Sequence, residues 1–443
     1  MTGFVYADPY EPLLKRLLLQ SANRDDRMKV LFLCKKFPYP LKDGESIAIS
    51  NLCKELKTMG CDITLLCMNT SKHYMDPGSL PPEYDYFTNI HAVELDNSIK
   101  PWKAFASIVS GESYHIRRFK SSLFRAKLIQ ILNEQKFDII QLETLYLAPY
   151  VDTIRRHSEA RIVMRAHNVE HEIWERITQN TGSNLKKWYL AYLTRKLRQY
   201  EIEQFPVYDY LVTLTERDLN QFREKGYKNG ASAAPIGFDP ALYPYTPPSF
   251  GKAMSLCFIG SLDWMPNMEG LEWFLANCWQ EIHKKWPKIT FHIAGRNTPM
   301  SLLERRLPNV IVHGEVADAA EFISKHSAMI VPLFSGSGMR VKIVEGMVMG
   351  KVIITTSLGK EGIEGQDKQH FLLANKTPDF IEAIRFCIEH PETASQIGLN
   401  AISKASEQFE KHEAARQIME IYQSLMSYHQ HPAENTLAEN VSQ

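Results

Sequence analysis

A glycine-rich turn followed by two cations is the part of this chain whose residue types best suit chemistry. The apolar run from Ala328 to Leu333 predicts a short strand, and Gly336 and Gly338 follow it closely. Glycines let the backbone approach a ligand and leave amide N–H groups free. A helix is predicted from about Met339, and its first amides and positive dipole end favour an anion. We therefore expect an anion such as a diphosphate at this turn.

Charged side chains on the same predicted helix extend this hypothesis. Arg340 and Lys342 fall in its first turn, where a cation is unfavourable for the helix and a bound anion would explain its presence. Gly338, Val341 and Glu345 are spaced by three and four, so they share a face. A carboxylate there could accept two hydrogen bonds from a vicinal diol such as that of a ribose. On pattern alone, Glu345 could equally be a solvated helix carboxylate and the glycines ordinary turn residues.

Strands that alternate with helices must position this turn. Strands are predicted at 29–34, 62–67, 90–95, 137–142, 161–166 and 210–214. A proline-rich linker follows at 243–251, and strands resume at 256–259, 289–294, 310–312, 328–333, 352–355 and 371–373. This alternation predicts an α/β chain with two doubly wound, Rossmann-like parallel sheets that face each other across a cleft.

The same breaks predict the domain organisation. We expect a leader at 1–27, an N-terminal domain at 28–245, a C-terminal domain at 246–408, a final helix at 409–428 and an unordered polar tail at 429–443. Met28 is an alternative start of the protein.

Composition excludes several classes of function. Lysine plus arginine equals aspartate plus glutamate, and the net charge of zero argues against a nucleic-acid binder. The seven cysteines are irregularly spaced and include no Cys-x-x-Cys pair, which is typical of a reducing cytosol and not of a disulfide or zinc framework. No apolar run is long enough to span a membrane.

Several motifs in a fixed order carry a resemblance to a known family. The strongest is the block at 332–362, with its glycine turn, its glutamate, a strand and a second glycine turn. Weaker motifs lie at 37–44, 166–170, 235–239, 258–267, 294–296 and 314–318. From 28 to 428 the chain resembles the retaining, nucleotide-sugar-dependent glycosyltransferases of family 4, in a Gly-Ser-Gly subgroup similar to bacterial transferases for cell-surface polysaccharide.

The resemblance implies a fold and a set of site residues. The implied fold is GT-B, with the C-terminal helix crossing back to the first domain. The implied catalytic residues are His167, which lies near the sugar ring, and Arg340 and Lys342, which meet the diphosphate. The implied donor-binding residues are Gly44, Gly260, Glu315, Val316, Ser337, Gly338, Glu345, Glu361 and Gly362. No metal and no cofactor are expected, because the nucleotide sugar is itself a substrate.

Two departures from the family pattern affect how the donor is read. Ser337 stands where the family commonly has a first glutamate, so the sugar would meet a hydroxyl or backbone amides instead of a charge. Gly260 and Ser261 stand where many members have an arginine, and Arg340 and Lys342 could supply that charge.

The implied reaction moves a sugar from a nucleoside diphosphate to an acceptor hydroxyl with retention, by front-face attack. Helix amides with Arg340 and Lys342 would stabilise charge on the leaving diphosphate, and the chain has no Asp-x-Asp pair of the kind that holds a divalent ion. On pattern alone a structural role for His167 is about as plausible as a catalytic one. Glu143 and Glu170 are interpreted as solvated or structural carboxylates.

Partners and competing functions complete the hypothesis. We expect a glycan or lipid-linked acceptor in polysaccharide biosynthesis and a cytoplasmic protein. Peripheral contact with the inner face of the membrane would use two basic segments at 117–127 and 186–198. The alternatives are an epimerase or phosphorylase of the same fold and a non-catalytic nucleotide-binding subunit.

Overall fold

The computed structural model describes residues 27–41, 43–71, 74–97, 112–243, 245–336 and 338–430. Ser337, nearly all of the predicted leader and most of the predicted tail lie outside the described residues. Within these ranges the chain forms two parallel α/β sheets with helices on both faces.

The first sheet contains seven parallel strands in the order β3-β2-β1-β4-β5-β6-β7. Strand β1, Lys29–Cys34, is buried from Val30 to Cys34, as expected for the unbroken apolar sequence of an interior parallel strand. The strands are β1 Lys29–Cys34, β2 Asp62–Thr70, β3 Asn89–Leu95, β4 Ile139–Glu143, β5 Arg161–Ala166, β6 Tyr210–Thr213 and β7 Gly230–Ala233. The helices are α1 Gly44–Thr58, α2 Tyr114–Arg117, α3 Ser122–Glu134, α4 Val151–His157, α5 Glu170–Asn180, α6 Asn184–Glu203 and α7 Glu216–Glu224.

The second sheet contains six parallel strands in the order β10-β9-β8-β11-β12-β13. The strands are β8 Ser255–Ile259, β9 Thr290–Ala294, β10 Val310–Gly314, β11 Ala328–Val331, β12 Val352–Thr355 and β13 Leu372–Leu373. The helices are α8 Met265–Phe274, α9 Gln280–Lys285, α10 Met300–Leu303, α11 Ala319–Ser324, α12 Val341–Val348, α13 Thr377–Glu389, α14 Pro391–Gln408 and α15 Lys411–Gln430, and a π-helical turn at Leu275–Trp279 joins α8 to α9.

The last helix crosses back to the first sheet, as predicted. Ile418 and Tyr422 of α15 lie in the same buried cluster as Ile49 of α1, and the Tyr422 hydroxyl donates a hydrogen bond to buried Gln141 on β4. The helix begins at Lys411 instead of residue 409, because Phe409 ends the preceding helix.

Strand order places the loops of the predicted site at the carboxyl ends of the strands, close to the point where the strand order of each sheet reverses. In the first sheet β1 lies between β2 and β4, and in the second β8 lies between β9 and β11. Ligands of doubly wound sheets bind outside the carboxyl ends of the strands at such points. The loop after β1 leads to Gly44, and the loop after β11 contains Gly336 and Gly338, so both lie at this edge of their sheets.

Candidate functional site

The glycine turn after β11 lies against the loop after β5 of the other domain. Gly336 and Gly338 have φ angles of 98° and 78°, in the left-handed region that favours glycine. A Cβ atom added to Gly338 would lie 2.1 Å from the Asn168 Oδ1 atom and 2.5 Å from the His167 carbonyl oxygen. The turn predicted to hold the donor and the predicted catalytic histidine are therefore adjacent across the domain boundary.

Helix α12 begins at Val341, two residues later than the sequence predicted. The left-handed backbone at Gly338 cannot belong to a right-handed helix, and Arg340 takes the N-cap position with φ −92° and ψ 83°. No side chain caps the helix and no acidic residue occupies its first turn. A Cβ atom on Gly44 would lie 2.6 Å from Val341 Cγ2, so this helix end faces the start of α1. It has the orientation and the free amides that an anion requires.

Lys342 lies in the first turn of α12 and is partly buried. Its ammonium donates a hydrogen bond of 2.7 Å to Asn267 Oδ1, lies 4.8 Å from the centre of the Phe258 ring, and lies beside Gly260. Among the residues that the structure describes, no carboxylate pairs with it. Burial, together with the nearby charge of Arg340, lowers the pKa of Lys342 to about 7. A bound anion would restore the charged form.

Arg340 turns its guanidinium toward the glycine turn. Its Nη1 atom donates a 2.6 Å hydrogen bond to the Gly338 carbonyl oxygen. Burial lowers the pKa of Arg340 to about 10, and the guanidinium groups of Arg176 and Arg217 act in the same direction against the opposing charge of Glu361. The two predicted phosphate cations thus lie at the end of α12, but Arg340 precedes the helix instead of belonging to its first turn.

Glu345 lies one turn further along α12 and is not fully solvated. The Tyr243 hydroxyl donates a 3.3 Å hydrogen bond to its Oε1 atom. Burial raises the pKa of Glu345 to about 7, and the charge of Asp318 adds to this rise. Tyr243 comes from the proline-rich segment at 243–251, which was predicted only to be a linker between the two domains.

The loop after β10 contains two further residues predicted to bind the donor, Glu315 and Val316. Glu315 is exposed, and Val316 is half-buried against the apolar cluster that contains Val341 and Val344 of α12. Because Asp318 of this loop also acts on Glu345, the loop and α12 share one end of the site.

His167 is only 6% exposed and is held by a buried carboxylate. Its Nε2 atom lies 2.5 Å from Glu143 Oε2, and Glu143 also contacts Gln141 Nε2 at 2.5 Å and Arg165 Nη1 at 3.5 Å. Burial alone raises the pKa of Glu143, but Arg165 and His167 outweigh it and hold the pKa below its ordinary value. Glu143 was interpreted as a solvated or structural carboxylate, and its burial excludes the solvated alternative. The ionised carboxylate orients the ring and favours a proton on Nε2.

Glu170 is also buried, which excludes the solvated interpretation for it as well. Its Oε2 atom accepts a 2.8 Å hydrogen bond from the Tyr146 hydroxyl. Burial raises the pKa of Glu170. The sequence left both carboxylates undecided because partners such as His167 and Tyr146 lie 24 residues away in the chain.

The second glycine turn joins the two domains. Glu361 accepts hydrogen bonds of 3.0 and 3.2 Å from Arg176, and its carboxylate lies 3.9 Å from Arg217 Nε. Arg176 also donates to the carbonyl oxygen of Gly336. Gly362 has φ 80°, and a Cβ atom there would lie 2.2 Å from Thr215 Cγ2. Glu361, predicted to bind the donor, therefore meets the first domain. Arg176 and Arg217 were not predicted, because no local pattern marks them.

A third contact between the domains lies at the start of α1. Asp43 accepts from Ser46 N at 3.0 Å, from Lys36 Nζ at 2.5 Å and from Arg296 Nη2 at 3.2 Å. Although burial acts in the opposite direction, these partners hold the pKa of Asp43 well below its ordinary value. The motifs at 37–44 and 294–296 thus meet beside Gly44.

The described part of the chain has neither a cluster of metal ligands nor a helix suited to cross a membrane. It contains no group of three or more His, Cys, Asp and Glu residues that could hold a metal ion. None of its helices combines the length and apolar character that crossing a membrane requires.

Comparison with known proteins agrees with this geometry. Residues 253–390 match the family model described as "Glycosyl transferases group 1". A protein from Klebsiella pneumoniae described as an uncharacterized 44.6 kDa protein in cps region is 20% identical over 392 residues, which cover 86% of this chain and 96% of that protein.

Two solved structures share the architecture. Anabaena Alr3699/HepE in complex with UDP-glucose has a TM-score of 0.62 at 15% identity, and the match covers 90% of this chain and 100% of that one. Sucrose-phosphate synthase from Thermosynechococcus elongatus has a TM-score of 0.67 at 14% identity, with the same coverage. The protein therefore has the GT-B fold of two Rossmann-like domains, and its second domain is similar to group 1 glycosyl transferases.

Proposed function

We propose that this protein is a metal-independent, retaining glycosyltransferase that moves a sugar from a nucleoside diphosphate sugar to an acceptor hydroxyl. The observation that carries this proposal is the uncapped start of α12, which contains Arg340 and Lys342 and follows a glycine turn that lies against the loop of His167. The match of residues 253–390 to a glycosyl transferase family supports it.

Donor binding uses the end of α12 and the loops beside it. The diphosphate lies against the first amides of α12 and the two cations, whose depressed pKa values it restores. The ribose diol donates to Glu345, and the base lies near Val316. Ser337, which stands in the position of the family's first glutamate, lies outside the described residues.

Sugar transfer needs charge stabilisation more than it needs a nucleophile. As the bond from C1 to the phosphate oxygen breaks, negative charge grows on the diphosphate, where the helix end, Arg340 and Lys342 stabilise it. The acceptor oxygen forms its bond to C1 on the same face, and its proton passes to the departing phosphate oxygen. His167, fixed by Glu143, hydrogen-bonds the sugar ring during this step.

The acceptor is proposed to be a glycan or a lipid-linked sugar of cell-surface polysaccharide. The printed description of the Klebsiella relative, a protein in a cps region, supports this class. A cytoplasmic location with peripheral membrane contact fits the basic start of α6, where Leu185 and Trp188, on either side of Lys186 and Lys187, are 79% and 66% exposed. UDP-glucose is the first donor to test, because HepE was crystallised with it.

Purified full-length protein decides between transfer and simple nucleotide binding. UDP-, GDP- and ADP-sugars are screened by thermal shift, and sugar release or transfer is then measured in EDTA with the donor that stabilises most. We expect activity in EDTA and its loss in Lys342→Met, with Lys284→Met, an exposed cation of α9, as the matched control. Nucleotide binding without any sugar release would favour the non-catalytic subunit, and a strict need for Mg²⁺ or Mn²⁺ would contradict the metal-independent mechanism.

A further inference from the structure

A cavity separate from the proposed donor site lies on the first domain, between the start of α2 and α6. It has a volume of about 260 Å³, and its walls include Ser113, Arg117 and Lys196. This volume lies below the ~300–1,000 Å³ of pockets for drug-sized ligands. The cavity therefore suits a small group, of the size of a glycerol phosphate.

Ser113 supplies a hydrogen-bonding group that the protein leaves unused. The residue is 6% exposed, and its Oγ atom has no hydrogen-bond partner in the described part of the chain. Buried hydroxyl groups in proteins are nearly always hydrogen-bonded, because an unpaired one loses its contacts with water. A ligand oxygen in the cavity would satisfy it.

The charged groups of the cavity leave an excess of positive charge. Lys120 pairs with Glu112 at 3.2 Å, and Glu203 accepts a hydrogen bond of 2.8 Å from Gln199. Arg117 and Lys196 pair with no carboxylate within the described ranges. With three cations and two carboxylates, the lining has a formal charge of 3 − 2 = +1.

We propose that this cavity binds the phosphate group of a small phosphoester. Arg117 offers a planar fork of donors that matches phosphate oxygens, Lys196 adds a compact charge, and Ser113 donates its free hydroxyl. The phosphoester is either the headgroup of an anionic lipid or a soluble phosphorylated molecule, since both present the same oxygens. The inference does not rest on the proposed transfer reaction, because none of these residues belongs to the donor site.

Direct binding measurements on the full chain test the proposal. Glycerol 3-phosphate is titrated by calorimetry, with glycerol as the uncharged comparison. In parallel, phosphatidylglycerol vesicles are sedimented with the protein, with phosphatidylcholine vesicles as the comparison. The cavity pair Arg117→Gln with Lys196→Gln is compared with Lys284→Gln plus Lys288→Gln, which removes the same charge from an exposed surface of the second domain.

We expect the cavity pair to weaken binding at least 10-fold and the control pair to leave it unchanged. If the cavity pair weakens the binding of glycerol 3-phosphate, a soluble phosphoester is a sufficient ligand. If it weakens only the binding of phosphatidylglycerol vesicles, the ligand is a lipid headgroup. Equal losses in both charge pairs, or no binding of either probe to the parent protein, would overturn the proposal. Ser113→Ala keeps the test decisive if the double variant does not fold. It should retain the parent melting temperature and weaken binding several-fold.

Discussion

Lys342 is the residue at which the proposed donor site should cost the free protein stability. Its folded-state pKa of about 7 lies below its ordinary value of 10.5. Between these values the unfolded chain binds more protons than the folded one, so the contribution of Lys342 to stability improves as pH rises through this window. At pH 7 and below, the free protein bears the cost of a poorly solvated charge.

Replacing Lys342 by methionine should therefore stabilise the free protein and weaken donor binding. We expect the free energy of unfolding to rise by about 1–2 kcal/mol, less than the full linkage value because the side chain is partly solvated. Donor affinity should fall by about 10- to 100-fold through the lost charge-assisted contact. Chemical denaturation and calorimetry measure the two effects. A Lys342→Met protein that binds the donor as tightly as the parent would remove the residue from the phosphate site.

Donor affinity should also depend on pH in two opposite ways. Lys342 loses its proton above about pH 7, which weakens the attraction for the diphosphate. Glu345 gains a proton below about pH 7, which removes an acceptor for the ribose diol. UDP-glucose affinity measured from pH 5.5 to 9 should peak near 7. Lys342→Met should flatten the alkaline limb, Glu345→Gln the acid limb, and a limb unchanged in its variant contradicts that assignment.

The sequence could predict which residues lie close together when they belong to one turn or one helix. Gly338, Lys342 and Glu345 follow from the spacing of a turn and a helix. The pairing of Glu143 with His167 could not be predicted, because it depends on which strands neighbour each other and on burial that no local pattern records.

The left-handed turn at Gly338 is the element that makes close approach of the domains possible. Any side chain there would collide with Asn168 and with the His167 carbonyl oxygen. We expect Gly338→Ala to reduce kcat by two orders of magnitude or more, since small misplacements of reacting groups have effects of about that size. Gly182→Ala, with no atom within 4 Å of its Cβ, is the matched control. Near-parental turnover in Gly338→Ala would show that the turn does not approach His167 during catalysis.

A histidine cluster on the second sheet should make that domain sensitive to acid. The ring of His292 on β9 lies 4.4 Å from that of His326, and its Nδ1 atom lies 3.0 Å from His313 Nε2 on β10. Burial lowers all three pKa values, that of His326 to about 3, and the charges of Lys325 and Lys351 act in the same direction on His326.

Below about pH 6.5 these histidines bind protons in the unfolded chain but remain neutral in the folded cluster, because their folded-state pKa values are lower. The free energy of unfolding should therefore fall as pH drops below about 6.5. For His326 alone the loss between pH 6.5 and pH 5 is about 2 kcal/mol. Chemical denaturation at several pH values gives the free energy of unfolding as a function of pH. Between pH 6.5 and pH 5 this free energy should fall less steeply for His326→Asn than for the parent. Identical slopes would mean that the cluster takes up protons without unfolding.

Most strands could be predicted because buried parallel strands are short apolar runs. Strand β7 was missed, since its sequence Gly-Ala-Ser-Ala has no such run and it forms only by pairing with β6. The start of α12 was misplaced because the backbone angles of Gly338 depend on contact with the other domain.

At the scale of the whole molecule, the two domains contact each other through residues that the sequence could not pair. Asp43 meets Arg296, Gly362 packs on Thr215, and Arg176 binds both Glu361 and Gly336. Each contact joins segments far apart in the chain, so no local pattern could record it. The helical return of α15 was predictable only through resemblance to a family.

Arg176 should hold the closed arrangement of the two domains. Its guanidinium binds the Glu361 carboxylate in the second glycine turn and the Gly336 carbonyl oxygen in the first, so its removal frees both glycine turns at once. We expect Arg176→Ala to lower kcat/KM for the donor about 10- to 100-fold, the range of a lost charged hydrogen-bond partner. In small-angle scattering, the radius of gyration with UDP-glucose should be larger for the variant than for the parent.

Two further comparisons distinguish closure from a general loss of charge. Arg198→Ala removes an exposed cation of α6 whose contact with Glu175 is 3.8 Å, and it should leave kcat/KM and the radius of gyration unchanged. Arg176→Ala and Glu361→Gln should have less effect together than the sum of their separate effects, with a coupling of about 0.5–3 kcal/mol. Additive losses would mean that the two residues act independently, and that some other contact, such as Asp43 with Arg296, holds the domains together when the donor binds.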